Sequence, residues 1–254
     1  MKQTALYRNG SSLSYAEYGD KHGYPVLIQH GMVASIDDSH LFQRLIQSGT
    51  YLICIARPGY GASSPYPLVN IAEWADLVAV VVDQLGLSQF DLLGMSSGAP
   101  YTYSIAHYFP SRVRNVYIFS GIPALYDGKI LSLWPYPVDK NAKIDELQKL
   151  AHALFFSNLS DDDLKQSSIK DSMMNNCFGI AQDLRLRCQD WGFDLSEVKA
   201  RVYMQHSRWD AGVPVMTAEL TARSLPNCIL EVKDTDIHFS EAMLDEFIRT
   251  VILA

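Results

Sequence analysis

The chain has 254 residues, of which 48% are hydrophobic and 19% are charged, and its formal net charge is −7. This length and composition fit a single folded core with a modest insertion rather than two independent domains. Acidic and basic residues are mixed along the chain without a basic stripe, which excludes a nucleic-acid-binding protein.

The first twenty residues predict a β-hairpin. Alternating strands at residues 4–8 and 13–18 flank Asn9-Gly10, a pair that favours tight hairpin turns. Short apolar runs at residues 25–29 and 51–56 predict two buried strands. Between these runs, residues 39–47 carry apolar side chains at helical spacing.

The middle of the chain alternates between helix and strand signals. Residues 71–85 predict a helix ended by Gly86, and residues 90–94 predict a strand. A helix over residues 97–109, stopped by Pro110, and a strand over residues 113–120 follow. This alternation predicts right-handed crossovers and a parallel sheet with helices on both faces.

The alternation stops after Gly121. Residues 123–193 predict helices without strands, most clearly at 145–156 and 174–191, with a further helix start at Ser160. Strand signals return at residues 202–206 and 229–232, and residues 240–252 predict a final helix. We therefore expect an α/β fold with a mostly parallel central sheet. Its core comprises residues 1–122 and 194–254, and residues 123–193 form an inserted helical cap.

The segment Gly94-Met95-Ser96-Ser97-Gly98 has the pattern G-x-S-x-G between a predicted strand and a predicted helix. Such a sharp turn strains the backbone of the central serine, and a side chain at either glycine would collide with a neighbouring strand or helix. The turn holds Ser96 at the carboxyl edge of the sheet, above a helix N-terminus that favours negative charge. We predict that Ser96 is a nucleophile.

With these residues the chain resembles the α/β-hydrolase superfamily, in the branch with one small helical cap. The resemblance implies the α/β-hydrolase fold and the chain order nucleophile, acid, histidine. The matching segments are His30-Gly31, Arg57-Pro58-Gly59-Tyr60-Gly61, the turn around Ser96, His206-Ser207-Arg208-Trp209-Asp210, Val213-Pro214 and His238.

The resemblance also implies the partners of Ser96. His238 would be the general base that takes the serine proton, and Asp210 the carboxylate that holds its tautomer. Asp127 and Asp236 are competing candidates for the acid. One departure from the family pattern is Ile237, at a position where many relatives carry glycine before the histidine.

The resemblance further places an oxyanion hole at two backbone N–H groups, those of Ser97 and Met32. Met32 also has the alternative role of lining the pocket. His30 belongs to the same loop, where we expect it to be structural.

These features predict a serine hydrolase that cleaves a small, fairly apolar ester, thioester or amide. A serine at the turn argues against haloalkane dehalogenases and epoxide hydrolases, which use aspartate there. The plain His30-Gly31 pair argues against lipases with a glycine-rich oxyanion loop. Proline iminopeptidases and carbon–carbon hydrolases stay open, as do a ligand sensor that keeps the triad with little turnover and a lyase that uses the same triad.

The remaining expectations concern cofactors, location and the cap. No pair among Cys54, Cys177, Cys188 and Cys228 has metal-ligand spacing, so we predict no metal and no other cofactor. The N-terminus lacks an apolar signal region and no stretch approaches a membrane span, so a cytoplasmic enzyme with a small-molecule substrate is expected. Most of the cap's aromatic side chains should form its core, and a minority should line an apolar pocket above Ser96.

Overall fold

In the computed structural model, which describes residues 2–7 and 10–254, the chain forms an eight-stranded sheet. The spatial order is β1-β2-β4-β3-β5-β6-β7-β8. The pairs β1–β2 and β2–β4 are antiparallel, and all other neighbours are parallel, as predicted for a mostly parallel sheet. The strands are β1 Lys2–Leu6, β2 Ser12–Gly19, β3 Pro25–Gln29, β4 Tyr51–Ile55, β5 Phe90–Met95, β6 Val113–Phe119, β7 Arg201–Ser207 and β8 Cys228–Lys233.

Helices connect these strands and cover the sheet. Turns of 3₁₀ helix at Ser39–Phe42 and Ser96–Gly98 lead into α1 and α3, and a π-helical turn at Ile248–Ile252 follows α8. The α-helices are α1 Gln43–Gln47, α2 Glu73–Gln84, α3 Ala99–Tyr108, α4 Gly128–Leu131, α5 Ile144–Phe155, α6 Ser167–Leu186, α7 Val215–Ser224 and α8 Glu241–Phe247.

The predicted N-terminal hairpin is present. Strand β1 spans Lys2–Leu6, two residues earlier in the chain than the predicted strand at residues 4–8. Leu6 pairs with Ser12 at the closed end. Arg8 and Asn9, which belong to the predicted strand and turn, lie outside the described residues. Gly10 has a φ of 75°, a left-handed conformation that glycine adopts without steric cost.

Successive side chains of β5 enter two separate hydrophobic clusters, one on each face of the sheet. Leu92 packs in the cluster that contains Val78 of α2 and Ile105 of α3. Leu93 packs on the other face, in the cluster with Leu45 of α1 and Phe247 of α8. Both faces of the sheet are therefore covered, as predicted. A strand that is buried on both faces has a continuous apolar sequence, which is the pattern from which this was predicted.

Between β6 and β7 lie α4, α5 and α6, and this fully described segment contains no strand. Helix α6 begins at Ser167, earlier than predicted, and its backbone leaves right-handed geometry at Met174. Asn175, Asn176 and Cys177 then have φ values of 52°, 56° and 59°. Asparagine adopts this left-handed conformation more readily than most residues. The spacing of apolar residues, from which the helix was predicted, carries no signal for such a break.

The predicted helix start at Ser160 yields only one 3₁₀ turn, Asp163–Lys165. The Ser160 hydroxyl donates to the Asp163 carboxylate over 2.7 Å and accepts from the Asp163 N–H over 3.2 Å. These bonds close a single turn, and the extended backbone at Gln166 ends it. The helix start predicted at Ser160 therefore opens a 3₁₀ turn rather than an α-helix.

Candidate active site

Ser96 stands on a sharp turn between β5 and α3. Its φ of 46° is left-handed, the strain that the sequence pattern predicts for the central serine. A Cβ on Gly94 would collide with the hydroxyl of Thr102 in α3, and a Cβ on Gly98 would collide with the carbonyl of Gln29 in β3. The predicted need for both flanking glycines is confirmed, because one side meets a helix and the other a strand.

The structure brings Ser96, His238 and Asp210 together in a hydrogen-bonded series. The His238 Nε2 lies 3.0 Å from the Ser96 Oγ, and the His238 Nδ1 lies 2.5 Å from the Asp210 Oδ2. Both distances are within hydrogen-bonding reach. In the arrangement where Nδ1 donates to the carboxylate, Nε2 is free to accept the serine proton.

Asp210 follows β7 and is only 5% exposed. Its second oxygen, Oδ1, accepts hydrogen bonds from the N–H groups of Gly212 and Val213 over 2.8 and 2.9 Å. Burial alone would raise the pKa of Asp210, but His238 and these backbone donors outweigh it and hold the pKa below its ordinary value. The side chain is thus built to be a carboxylate that faces His238.

Asp127, a competing acid in the sequence, has a different place in the fold. Its carboxylate accepts from the N–H groups of Lys129 and Ile130 over 2.7 and 3.2 Å. It is the N-cap of α4, a position that aspartate favours for this reason. No described hydrogen bond joins it to His238.

The loop that carries His238 is tied to the end of β7. The Ser207 hydroxyl donates to the Ile237 carbonyl over 2.6 Å, and the Trp209 N–H donates to the Thr235 carbonyl over 3.1 Å. Ile237 is 46% exposed, so its side chain has room beside the histidine. These bonds place the imidazole against Ser96.

The loop after β3 lies beside the serine. A Cβ on Gly31 would lie 3.9 Å from the Cβ of Ser96, so a side chain at this position would contact the serine. Met32 borders the same cavity as Ser96 and His238. Ser97 is buried in the 3₁₀ turn before α3, and its hydroxyl has no hydrogen-bond partner among the described residues. The assignment of the Met32 and Ser97 N–H groups to an oxyanion hole stays a prediction.

His30, which precedes this loop, is fully enclosed and has structural contacts. Its Nε2 accepts from the Arg57 N–H over 3.2 Å, so the neutral ring carries its proton on Nδ1 and donates it to the Gly31 carbonyl over 2.8 Å. Burial and the nearby Arg57 charge hold the pKa of His30 well below its ordinary value. The ring is therefore neutral and fixed.

Behind the same loop lies a buried ion pair between Arg57 and Asp183, with an Nη2–Oδ2 distance of 2.7 Å. The two side chains are separated by 126 residues in the chain. The sequence analysis did not predict this contact. The signal that could have led to it is an arginine directly after a buried strand, because a buried guanidinium needs a carboxylate partner.

The candidate site opens into a cavity of about 680 Å³. Residues 123–193 contribute Phe155 to its wall, together with the polar residues Gln166, Ser167 and Ser168, which the sequence analysis missed. Other aromatic side chains of that segment pack elsewhere, since Trp134, Trp191 and Phe193 belong to the main core. The other lining residues are Gly31, Met32, Val33, Ala34, Asp37, Asp38, His40, Leu41, Met95, Ser96, His238, Phe239 and Glu241.

Two further searches of the described residues concern metals and membranes. Over residues 2–7 and 10–254, no group of three or more histidine, cysteine, aspartate or glutamate side chains could hold a metal ion. Within the same ranges, no helix combines the length and apolar character needed to cross a membrane.

Comparison with known proteins places the chain in a family. The sequence profile described as alpha/beta hydrolase fold matches residues 24–192 of the chain. Among solved structures, an esterase from Exiguobacterium antarcticum superimposes with a TM-score of 0.76 at 20% identity, over 100% of this chain and 98% of that one. An esterase from a Rhodococcus species gives a TM-score of 0.64 at 19% identity, over 100% and 98% of the two chains.

Curated relatives match over shorter stretches. A 2-hydroxy-6-oxononadienedioate/2-hydroxy-6-oxononatrienedioate hydrolase of Escherichia coli is 26% identical over 67% of this chain and 64% of its own length. An uncharacterized hydrolase of Bacillus subtilis is 25% identical over 55% of this chain and 45% of its own length. The chain thus spans less than two thirds of both relatives.

Proposed function

The chain belongs to the alpha/beta hydrolase fold family, and from this premise we propose that it is a serine hydrolase with Ser96, His238 and Asp210 as its catalytic triad. The observation that carries the proposal is the series of hydrogen bonds from Ser96 through His238 to Asp210, at 3.0 and 2.5 Å. The relatives named as hydrolases and the esterase neighbours support it.

The geometry suits nucleophilic acyl transfer. The Ser96 Oγ attacks the substrate carbonyl carbon while His238 Nε2 takes the hydroxyl proton, and Asp210 stabilises the resulting imidazolium. The negative charge on the substrate oxygen is received by the N–H groups of Met32 and Ser97. His238 then returns its proton to the leaving group, and a water activated by the same histidine hydrolyses the acyl-enzyme.

The segment 123–193 acts in this proposal as a cap over the nucleophile. It supplies Phe155 at the end of α5 and residues 166–168 at the start of α6 to the wall of the cavity. One aromatic ring, one amide and two hydroxyls make a wall that accepts an apolar acyl chain with a polar end. The cap therefore bears on substrate choice and takes no part in proton transfer.

The cavity favours a neutral or cationic substrate. Asp37, Asp38 and Glu241 lie in its wall, whereas no lysine or arginine is among its described lining residues. Asp37 is paired with Lys2, at 2.5 Å between Nζ and Oδ2. An anionic group would still meet the carboxylates of Asp38 and Glu241, which costs free energy in a partly enclosed site. The Escherichia coli relative is named for a dioate, a dianion. We propose instead a small uncharged ester, thioester or amide for this chain.

The test combines labelling with turnover. A fluorophosphonate reagent should label the native protein and leave Ser96→Ala unlabelled, since only an activated hydroxyl reacts with it. A p-nitrophenyl alkanoate should be hydrolysed in steady state, and faster than an ester of equal length that ends in a carboxylate. Labelling that persists in Ser96→Ala would place the nucleophile elsewhere. One burst of p-nitrophenol followed by no further release would identify a sensor rather than an enzyme.

A further inference from the structure

We propose that Arg57 is a positioning residue that fixes the peptide group between Gly31 and Met32, so that its N–H faces the oxyanion. The inference rests on the proposed function, because that N–H is one of the two proposed oxyanion donors. It adds a part to the site that lies outside the triad and outside the cavity wall.

The contacts of Arg57 are directed at the backbone of the loop. Its Nη1 donates to the His30 carbonyl over 2.6 Å, and its Nη2 donates to the Gly31 carbonyl over 2.8 Å. Both are charge-assisted hydrogen bonds, which are shorter and stronger than bonds between neutral groups. One planar guanidinium thus holds two consecutive peptide carbonyls.

The Gly31 carbonyl accepts a second hydrogen bond, from the Nδ1–H of His30 over 2.8 Å. With both lone pairs of this oxygen engaged, the peptide plane has little freedom to rotate. The bond between Gly31 and Met32 is trans, because the described chain has no cis peptide. In a trans peptide the N–H points away from the carbonyl, so a carbonyl held toward Arg57 turns the Met32 N–H to the opposite side.

The charge of Arg57 also strengthens that N–H as a donor. A cation on the carbonyl oxygen polarises the peptide group, and hydrogen bonds in series reinforce one another in a low-dielectric interior. The effect requires a charged guanidinium. Burial would lower the pKa of Arg57, but the neighbouring Asp183 carboxylate outweighs it, and the pKa lies above its ordinary value.

Asp183, on α6, keeps Arg57 in place. Its two oxygens accept from Arg57 Nε over 3.2 Å and from Nη2 over 2.7 Å. The hydroxyls of Tyr60 and Tyr101 donate to the same carboxylate over 2.8 and 2.7 Å. The Asp183 carboxylate thus accepts four hydrogen bonds, two of them from Arg57. These bonds fix the guanidinium in the orientation in which its other N–H groups donate to the loop after β3.

A second contact of α6 supports the same loop. The Ser172 hydroxyl accepts from the Ala34 N–H over 3.0 Å and lies 3.3 Å from the Ala34 carbonyl, to which it donates. Ser172 and Asp183, on either side of the break at residues 174–177, therefore attach α6 to both ends of the stretch 30–34. The loop that carries Met32 is thus held by contacts from both halves of α6.

The experiment compares Arg57→Lys with the native enzyme on a p-nitrophenyl ester, with active sites counted by fluorophosphonate labelling run to completion. Lysine keeps a positive charge but presents a single ammonium, which cannot hold two carbonyls and a carboxylate together. We expect kcat and kcat/KM per labelled site to fall equally, on the order of ten- to a hundredfold, since the lost interaction is made only in the transition state. Affinity for a boronic acid, which becomes a tetrahedral anion on Ser96, should fall by the same factor.

Arg112→Lys is the matched control. Arg112 also joins a backbone carbonyl to an aspartate, since its Nε lies 3.0 Å from Leu87 O and its Nη1 lies 3.0 Å from Asp83 Oδ1. It directly precedes β6, at the amino end of that strand, whereas Ser96 follows the carboxyl end of β5. The Arg112→Lys enzyme should keep the native kcat per labelled site. Native kcat in Arg57→Lys, with an active native enzyme, overturns the inference and leaves the proposed function intact. An unlabelled, inactive native protein overturns both.

Should Arg57→Lys not fold, the double variant Arg57→Met/Asp183→Leu takes its place. It removes both charges together, and replacing a buried ion pair by apolar side chains is tolerated far better than removing one partner. The same fall in kcat per labelled site is expected. Native turnover in the folded double variant overturns the inference.

Discussion

Gly98, two residues after the proposed nucleophile, lies directly against the backbone of Gln29 at the end of β3. A Cβ on Gly98 would collide with the Gln29 carbonyl oxygen and lie 2.8 Å from the His30 carbonyl oxygen. The turn that carries Ser96 and the loop that carries Met32 are therefore in contact through two backbones, without a side chain between them.

Gly98→Ala should consequently destabilise the protein by about 1–3 kcal/mol, the usual cost of forcing a methyl group into filled space. Urea unfolding measures the change. Gly128→Ala is the control, because no atom lies within 4 Å of a Cβ at that position, and its effect should stay within about 0.5 kcal/mol. Equal stabilities of the two variants would contradict the packing described.

Asp210→Asn should fold normally and lose roughly three to four orders of magnitude in kcat, because an amide no longer holds the histidine tautomer in which Nε2 accepts a proton. Steady-state hydrolysis of a p-nitrophenyl ester measures the loss, and circular dichroism checks the fold. Asp127→Asn should be nearly silent, since asparagine is an equally good N-cap for α4. If Asp127→Asn were the inactive variant, the acid would be Asp127.

Met32→Pro removes the proposed oxyanion N–H, and Met32→Ala keeps it. We expect Met32→Pro to lose about 3–4 kcal/mol of transition-state stabilisation, a rate drop on the order of a hundred- to a thousandfold, whereas Met32→Ala keeps most of the turnover. The comparison requires a folded proline variant that still captures the fluorophosphonate at Ser96, even if slowly. Near-normal turnover in that variant would assign the second donor elsewhere. Equal, large losses in both variants would make Met32 a substrate-packing residue.

The stability of the protein should fall as the pH drops below about 6.5, the value at which imidazoles of the unfolded chain take up protons. Burial and the Arg57 charge keep the pKa of His30 well below its ordinary value, and burial lowers the pKa of His206 against the opposing effects of Val213 and Asp210. The unfolded state then binds more protons than the folded state. A histidine that stays neutral in the folded protein contributes a slope of at most about 1.4 kcal/mol per pH unit.

Urea unfolding between about pH 7.5 and pH 5.5 measures that slope. His30→Gln should lower it by the contribution of one histidine, whereas His22→Gln, at an exposed position, should leave it unchanged. An unchanged slope in His30→Gln would mean that this ring is protonated in the folded protein.

Local patterns were sufficient to predict the sheet and the turn around Ser96. A buried strand between helices has a distinctive apolar run, and the glycines at 94 and 98 are dictated by contacts with chain segments that the fold class itself supplies. The site also follows from topology, since the carboxyl ends of parallel strands meet at one edge of a sheet. The ends of β5 and β7 could therefore be placed together before any contact was known.

What escaped prediction depends on contacts between distant segments. The break in α6 at Asn175 is stabilised from outside the helix, because the Asn175 side chain donates to the Gly59 carbonyl over 3.2 Å. The partner of Arg57 could not be predicted either, because no residue near Arg57 in the sequence indicates that Asp183 on α6 is its partner. Aromatic side chains predicted for the cap core, such as Trp191, instead pack with the main core, because apolarity alone does not say which surface a side chain meets.

The proposed nucleophile and base are 142 residues apart in the chain, and the base follows β8, the last strand at one edge of the sheet. Contacts of such sequence separation form only after much chain entropy has been lost, so they come late in folding. During synthesis on the ribosome, β5 and its serine emerge well before β8. With the proposed triad, the catalytic site is incomplete until β8 has docked, so we expect catalytic competence to mark completed folding.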